Sequence, residues 1–299
     1  MESIPVAFID SALPMLSLDS LNKLSNHYFG FLWSPLSTNY CQRLEYYRAV
    51  IQLTEEGLKC FIVDVDGLQY TLKNFLEEDP KKSIIKRLMF YGPDDVFDNS
   101  DDDFQLFTIP ENSLSVIFDL VKARITVKSV FSANSDSSSE YFKLVNKAYE
   151  HYNGNMYFSK LYLLYTGAPS EEFLANQVAH GYVTNLELAG LWKKKSYHAI
   201  IKVVQKPEFQ NLHLDPNAEL KIKFSLFQEI IQKWRNGDRQ ESVSVIAVLD
   251  EFPKKEAMVE FYTWKDRWSL CYSLSHKTYQ KTAVVRICNS TQIAMLSYA

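Results

Sequence analysis

Glycine is scarce in this chain, with 9 in 299 residues against 19 Phe and 18 Tyr. No two glycines are spaced as in a P-loop or a dinucleotide fingerprint, so backbone cradles for phosphate are excluded. Cysteine is equally sparse: Cys41, Cys60, Cys271 and Cys288 are scattered, with no C-x-x-C pair. Free thiols in a reducing compartment, cytoplasmic or nuclear, are therefore expected. No window approaches eighteen continuous apolar residues, and Glu2-Ser3 follow Met1 without a basic or apolar leader pattern. Neither a membrane span nor a secretory signal is expected. Basic charge is also not in excess. The formal net charge is −4 and the pI about 5.9, which leaves no electrostatic footprint for nucleic acid.

Catalytic and metal signatures are missing too. The six histidines, His27, His151, His180, His198, His213 and His276, share no ligand spacing and no H-E-x-x-H. No G-x-S-x-G occurs. In "VDVDG", Asp64 and Asp66 lack the later carboxylates of a cation loop, and a strand running into a turn explains them. No enzyme activity, cofactor or metal is expected.

What is present is a packed globular composition, 46% apolar and 23% charged. The opening stretch "IPVAFIDSALPMLSLDSLNKLSNHYFGFLW" predicts two or three short helices up to about Pro35. Ser3 can cap the first with Pro5 just inside it, Pro14 interrupts it, and Ser17 can cap a second carrying Leu18, Leu21 and Leu24. Two apolar runs flank Glu55-Glu56-Gly57 and predict a β-hairpin. Six Asp between Asp94 and Asp103 repel one another and predict a solvated loop.

From about residue 125 a rhythm sets in. Candidate strands "ITVKSVF", "FSKLYLLY", "VTNLELAGL", "FQNLHLD" and "SVSVIAVL" alternate with helical patterns, their centres roughly 25 to 35 residues apart. "NLEL" at Asn185 and "NLHL" at Asn211 look alike. A βα unit cannot bury its own apolar faces, so stacked right-handed neighbours are expected. Alternating runs "MVEFYTW", "WSLCYSL" and "TAVVRIC" then predict a terminal antiparallel cap. The expected fold class is α+β, an irregular leucine-rich-repeat-like βα body behind a short helical region and ahead of a β cap.

The opening pattern, with Ile4-Pro5, Phe8, Ile9, Leu13, Leu16, Leu21, Leu24 and Trp33, resembles an F-box. The block "ELKIKFSLFQEIIQKWRNGDRQESVSVIAVLD" is similar to a segment of nematode F-box-associated domains. Ala7 stands where many F-boxes carry an acidic residue, and Pro14 falls where their first helix runs on. The resemblance implies an F-box-like region over 1–43 and an F-box-associated domain over 44–299. It also implies a non-enzymatic adaptor of an SCF-type cullin ubiquitin ligase. Ile4, Pro5, Phe8, Ile9, Leu13, Leu16, Leu21 and Leu24 would then hold a Skp-type subunit, and the C-terminal domain a client protein. The alternative is a stand-alone interaction or inhibitor protein that has lost adaptor docking.

Among the C-terminal aromatics, Trp264, Trp268 and Tyr272 are the candidate client anchors, since exposed aromatics are favoured at interfaces. "WKKKSYH" from Trp192 is the one compact basic cluster, either a partner contact or a solvated turn.

Overall fold

A computed structural model describes residues 8–9, 12–13, 16, 18–26, 33–93, 107–110, 113–133, 138–236, 243–253, 262–265, 269–275, 282–288 and 290–298. Both α and β structure are present, and the chain divides into two compact units, Met1–Ser129 and Val130–Ala299.

Unit 1 begins with helices α1 (Leu18–Asn26) and α2 (Trp33–Gln42). Pro35 does not stop α2, because the first turn of a helix has no carbonyl waiting for its N–H. The expected hairpin follows as β1 (Glu45–Thr54) and β2 (Gly57–Asp64), antiparallel from Tyr47↔Asp64 to Thr54↔Gly57. Gly57 supplies the φ of +117° that the turn requires. The short β3 (Gln69–Tyr70) and β5 (Phe107–Ile109) both pair with β2. Helix α3 (Leu72–Glu77), capped by Thr71 through its hydrogen bond from Asn74 N, carries the chain to β4 (Ser83–Tyr91), parallel to β1. Helix α4 (Leu114–Lys122) and the first residues of β6 (Ile125–Ala133) complete the unit.

One face of this sheet holds Tyr47 edge-on to Phe75, and Phe90 edge-on to Phe118. Arg124 is buried among them. It donates from Nε to Ser83 Oγ at 3.1 Å and from Nη2 to the Glu78 carbonyl at 3.2 Å, with its guanidinium over the Phe75 ring.

Unit 2 is a series of parallel strands in sequence order. Residues 130–133 of β6 pair with β7 (Lys160–Leu164), then β8 (Asn185–Ala189), β9 (Asn211–Leu214) and β10 (Ser244–Val248). Between them lie α5 (Ser139–Tyr152), α6 (Ala168–Ala179), α7 (Tyr197–Val204) and α8 (Phe224–Arg235). Every strand and helix anticipated in this stretch is present. Ser138 caps α5 by accepting from Tyr141 N, and Ser170 closes the start of α6 by donating to the Gly167 carbonyl at 2.7 Å. "GAPSEE" is thus a helix start.

Two in-register columns form the core. Phe131, Leu161, Leu186, Leu212 and Val245 make one, and Ala133, Leu163, Leu188 and Leu214 the other, with Ala247 following two residues after Val245 on β10; all are buried. Phe131 packs on Tyr149 of α5 and Phe173 of α6, so these columns point towards the helices. Burying each large side chain contributes ~1.5–3 kcal/mol. On α8, Phe224, Phe227, Ile230, Ile231 and Trp234 are buried at helical spacing, as expected.

After β10 the chain makes an antiparallel meander: β11 (Tyr262–Lys265), β12 (Ser269–Ser275), β13 (Thr282–Cys288) and β14 (Ile293–Tyr298). It runs inward, and β14 closes against β10. The antiparallel cap is present, with β14 as a strand that the sequence reading did not single out.

Candidate interaction surface

In a β-strand, alternate side chains point to opposite faces. In unit 2 the buried columns take the helix side, which leaves the intervening residues on the other. One such row runs Tyr162, Glu187, His213, Ile246, Met295 and Arg286 across β7, β8, β9, β10, β14 and β13. Each of the six is partly or fully exposed, Met295 by 46%. A parallel row places Lys160, Asn185, Asn211 and Ser244 side by side, all partly exposed. The likeness of "NLEL" and "NLHL" now has a physical meaning. The two segments pair residue for residue, Asn185 with Asn211 and Glu187 with His213.

This face mixes charge, amide, aromatic and thioether groups. Glu187 Oε1 and His213 Nδ1 are 3.7 Å apart, and both keep solvent contact. Asn185 Oδ1 accepts from Thr184 Oγ1 at 2.8 Å, which orients the amide. Such a surface offers donors, acceptors and apolar contact over six strands, the ingredients of a protein interface. The row was missed because each run was read for its buried leucines; the signal was the polar residue between them.

The expected adaptor contacts fall in unit 1. Ile4 and Pro5 lie outside the described residues. Ile9, Leu13 and Leu21 are buried in one cluster with Leu44 and Ile84, and Leu16, Trp33, Leu36 and Tyr46 pack against it. Leu24 is half-buried and Phe8 is 58% exposed. Ile9, Leu13 and Leu21 are thereby occupied by Leu44, just before the hairpin, and by Ile84 of β4.

The expected client anchors separate. Trp264 lies in β11 with its backbone opposite Cys271, and Trp268 lies outside the described residues. Tyr272 is only 4% exposed and packs near Phe224 of α8, so it is a core residue and not a surface anchor. The parity of β12 turns it to the helix side.

Other candidates resolve into structural roles. Asp64 accepts from the Asp66 and Leu68 amides at 2.9 and 2.8 Å, closing the turn after β2. Of the lysines after Trp192, Lys193 pairs with Glu219 and Lys195 with Glu171. The basic cluster is therefore largely neutralised within the chain, and Trp192 itself is buried. Lys195 and Glu171 also line an open cleft of about 440 Å³ between α6 and α7. Among the described residues no group of three His, Cys, Asp or Glu could hold a metal ion. The acidic stretch Asp94–Asp103 lies outside the described residues.

Comparison with protein-family models, with curated proteins and with solved structures gives no match. Among the described residues, no helix is long and apolar enough to cross a membrane.

Proposed function

We propose that this chain is a non-enzymatic protein-interaction module that holds a partner protein on the open face of unit 2. The observation that carries the reading is the in-register row Tyr162, Glu187, His213 and Ile246, partly exposed between two buried columns. Residues Val130, Lys160, Asn185, Asn211 and Ser244 stand in register at intervals of 30, 25, 26 and 33 residues. That periodicity supports a leucine-rich-repeat-like body, an architecture that presents one extended face to a partner.

The burial of Ile9, Leu13 and Leu21 against Leu44 and Ile84 favours a stand-alone interaction protein over adaptor docking through those residues. A second reading, the SCF-type substrate adaptor, is supported by Phe8, a large apolar side chain left exposed beside them.

Two measurements separate these readings. A photo-crosslinker placed at Asn211 should trap a discrete protein partner in cells, whereas one placed at the exposed Lys147 on the helix side should not. Equal crosslinking from both positions, or none from Asn211, overturns the open-face reading. Pull-down with a purified Skp-type adaptor, comparing wild type with Phe8→Asp, tests the second. Capture by wild type that is lost in the variant would restore the adaptor reading, and no capture by folded wild type removes it.

A further inference from the structure

In unit 1, Arg48 on β1 lies opposite Arg87 on β4 in the parallel register. Like charges directly opposite each other destabilise a sheet. Between Tyr47 and Arg48 the register slips by one residue, which leaves Lys86 unmatched on β4. Burial records the same slip: Lys86 and Arg87 are consecutive exposed residues between buried Ile85 and Leu88. Bulges are uncommon in parallel pairs and re-aim side chains where they occur. Here Lys86 Nζ stands 3.5 Å from the centre of the Tyr46 ring. Tyr46 is two residues before Arg48 and shares its face. The bulge therefore gathers three cations on one side of the sheet.

Among the described residues, no charge is paired with them. No ion pair of the described residues involves Arg48, Lys86 or Arg87. The register neighbours on this face, Val63 opposite Arg48 and the next pair, Val50 and Met89, carry no charge. In a chain of net charge −4, three clustered cations without an ion pair among the described residues run against the overall balance.

We propose that Arg48, Lys86 and Arg87 form a docking patch for an acidic segment of a partner protein. Strand amides here are committed to the ladder, so the patch lacks the convergent backbone N–H groups that enclose a phosphate. What it offers is two guanidinium forks on adjacent strands, whose backbones lie ~4.8 Å apart, each fork able to take a carboxylate through two parallel hydrogen bonds. Lys86, held over Tyr46, supplies a third positive charge at the edge. An extended segment with several Asp or Glu side chains matches this arrangement. The patch belongs to unit 1, and the proposal stands apart from the reading of unit 2.

The test uses the full chain and fluorescence anisotropy with a labelled peptide of alternating Glu and Ser. Its Gln-for-Glu counterpart and an oligo-dT of equal charge serve as comparison probes. The Glu peptide should bind at least tenfold more tightly than the Gln peptide, and binding should weaken as salt rises. Arg48→Gln and Arg87→Gln should each lose about tenfold in affinity, while Arg48→Lys should recover only part, because it restores charge without the fork. Since Arg87 is exposed, Arg87→Gln should keep or raise the thermal midpoint, separating loss of binding from loss of fold. Equal binding of the Glu and Gln peptides overturns the proposal, as does wild-type affinity in the folded arginine variants. Tighter binding of oligo-dT, lost in the same variants, also overturns it in favour of a nucleic-acid patch.

Discussion

Replacing Leu13 by Ala tests whether the opening stretch is part of the core of unit 1. Leu13 is 1% exposed and belongs to a cluster with Ile9, Leu21, Leu44 and Ile84. Truncating a buried Leu to Ala typically costs ~2–5 kcal/mol, the spread reflecting how far the site collapses around the cavity. Leu16, Trp33 and Leu36 pack around the cluster and can relax inward, so the lower half of the range, ~2–3 kcal/mol, is expected here. With a urea dependence of ~2 kcal/mol per molar, the midpoint of unit 1 should fall by about 1–1.5 M. Trp33, the one tryptophan before residue 130, packs on the cluster and reports the transition through its fluorescence. Phe8→Ala is the control: that side chain is 58% exposed, and an exposed position away from special features should shift stability within ~0.5 kcal/mol. If Leu13→Ala and Phe8→Ala move the midpoint equally little, the cluster does not hold the opening stretch, and the case against adaptor docking collapses.

Three further outcomes follow from single contacts. Gln177 is buried, donating to the Met156 carbonyl at 2.6 Å and accepting from Phe158 N at 3.0 Å. Gln177→Leu strands both backbone groups at ~1–3 kcal/mol each, read as a lowered unfolding midpoint of unit 2. Arg124→Met should destabilise unit 1 more than Arg124→Lys, since Lys keeps a donor for Ser83 or Glu78; equal losses in thermal melts would refute the hydrogen-bonded role. Hydrogen bonds from Ser290 and Thr291 lower the Cys288 thiol to about 7, whereas burial raises Cys60 to about 12. A thiol depressed on folding favours the native state above its unfolded pKa, and that contribution fades as pH falls through about 7. Iodoacetamide labelling at Cys288 should therefore rise through half-maximum near pH 7 while Cys60 stays unlabelled; a Cys288 profile centred above pH 8.5 would contradict it.

The sequence was most legible where its period was most regular. From residue 130 each strand from β7 to β10 buries two alternate residues, with a third at the end of β7 and β10, and each helix buries one stripe, so spacing alone located β7 to β10 and their helices. Strand β4 was not anticipated because the bulge puts two cations in succession, breaking the alternation that marks a strand. Strand β14 is a short run whose meaning depends on a partner about 45 residues earlier. Periodicity identifies an apolar face but not what covers it. The same leucines at 13 and 21 suit a docking helix or a core, and only the positions of Leu44 and Ile84 distinguish the two. Tyr272 shows a parallel limit: its aromaticity was visible, but its side of the sheet is set by register with Val285.

The order in which the meander closes also bears on synthesis. Strand β10 leaves the ribosome ahead of β14, the strand that pairs with its outer edge, by about 45 residues. At translation rates of ~5–20 residues per second, that edge waits for roughly 2 to 9 seconds with its peptide groups unpaired. During that interval a second nascent chain on the same message can offer its own strand to β10. Slow codons between residues 249 and 292 would lengthen the exposure, so yield of soluble protein should respond to synonymous changes there more than to those upstream.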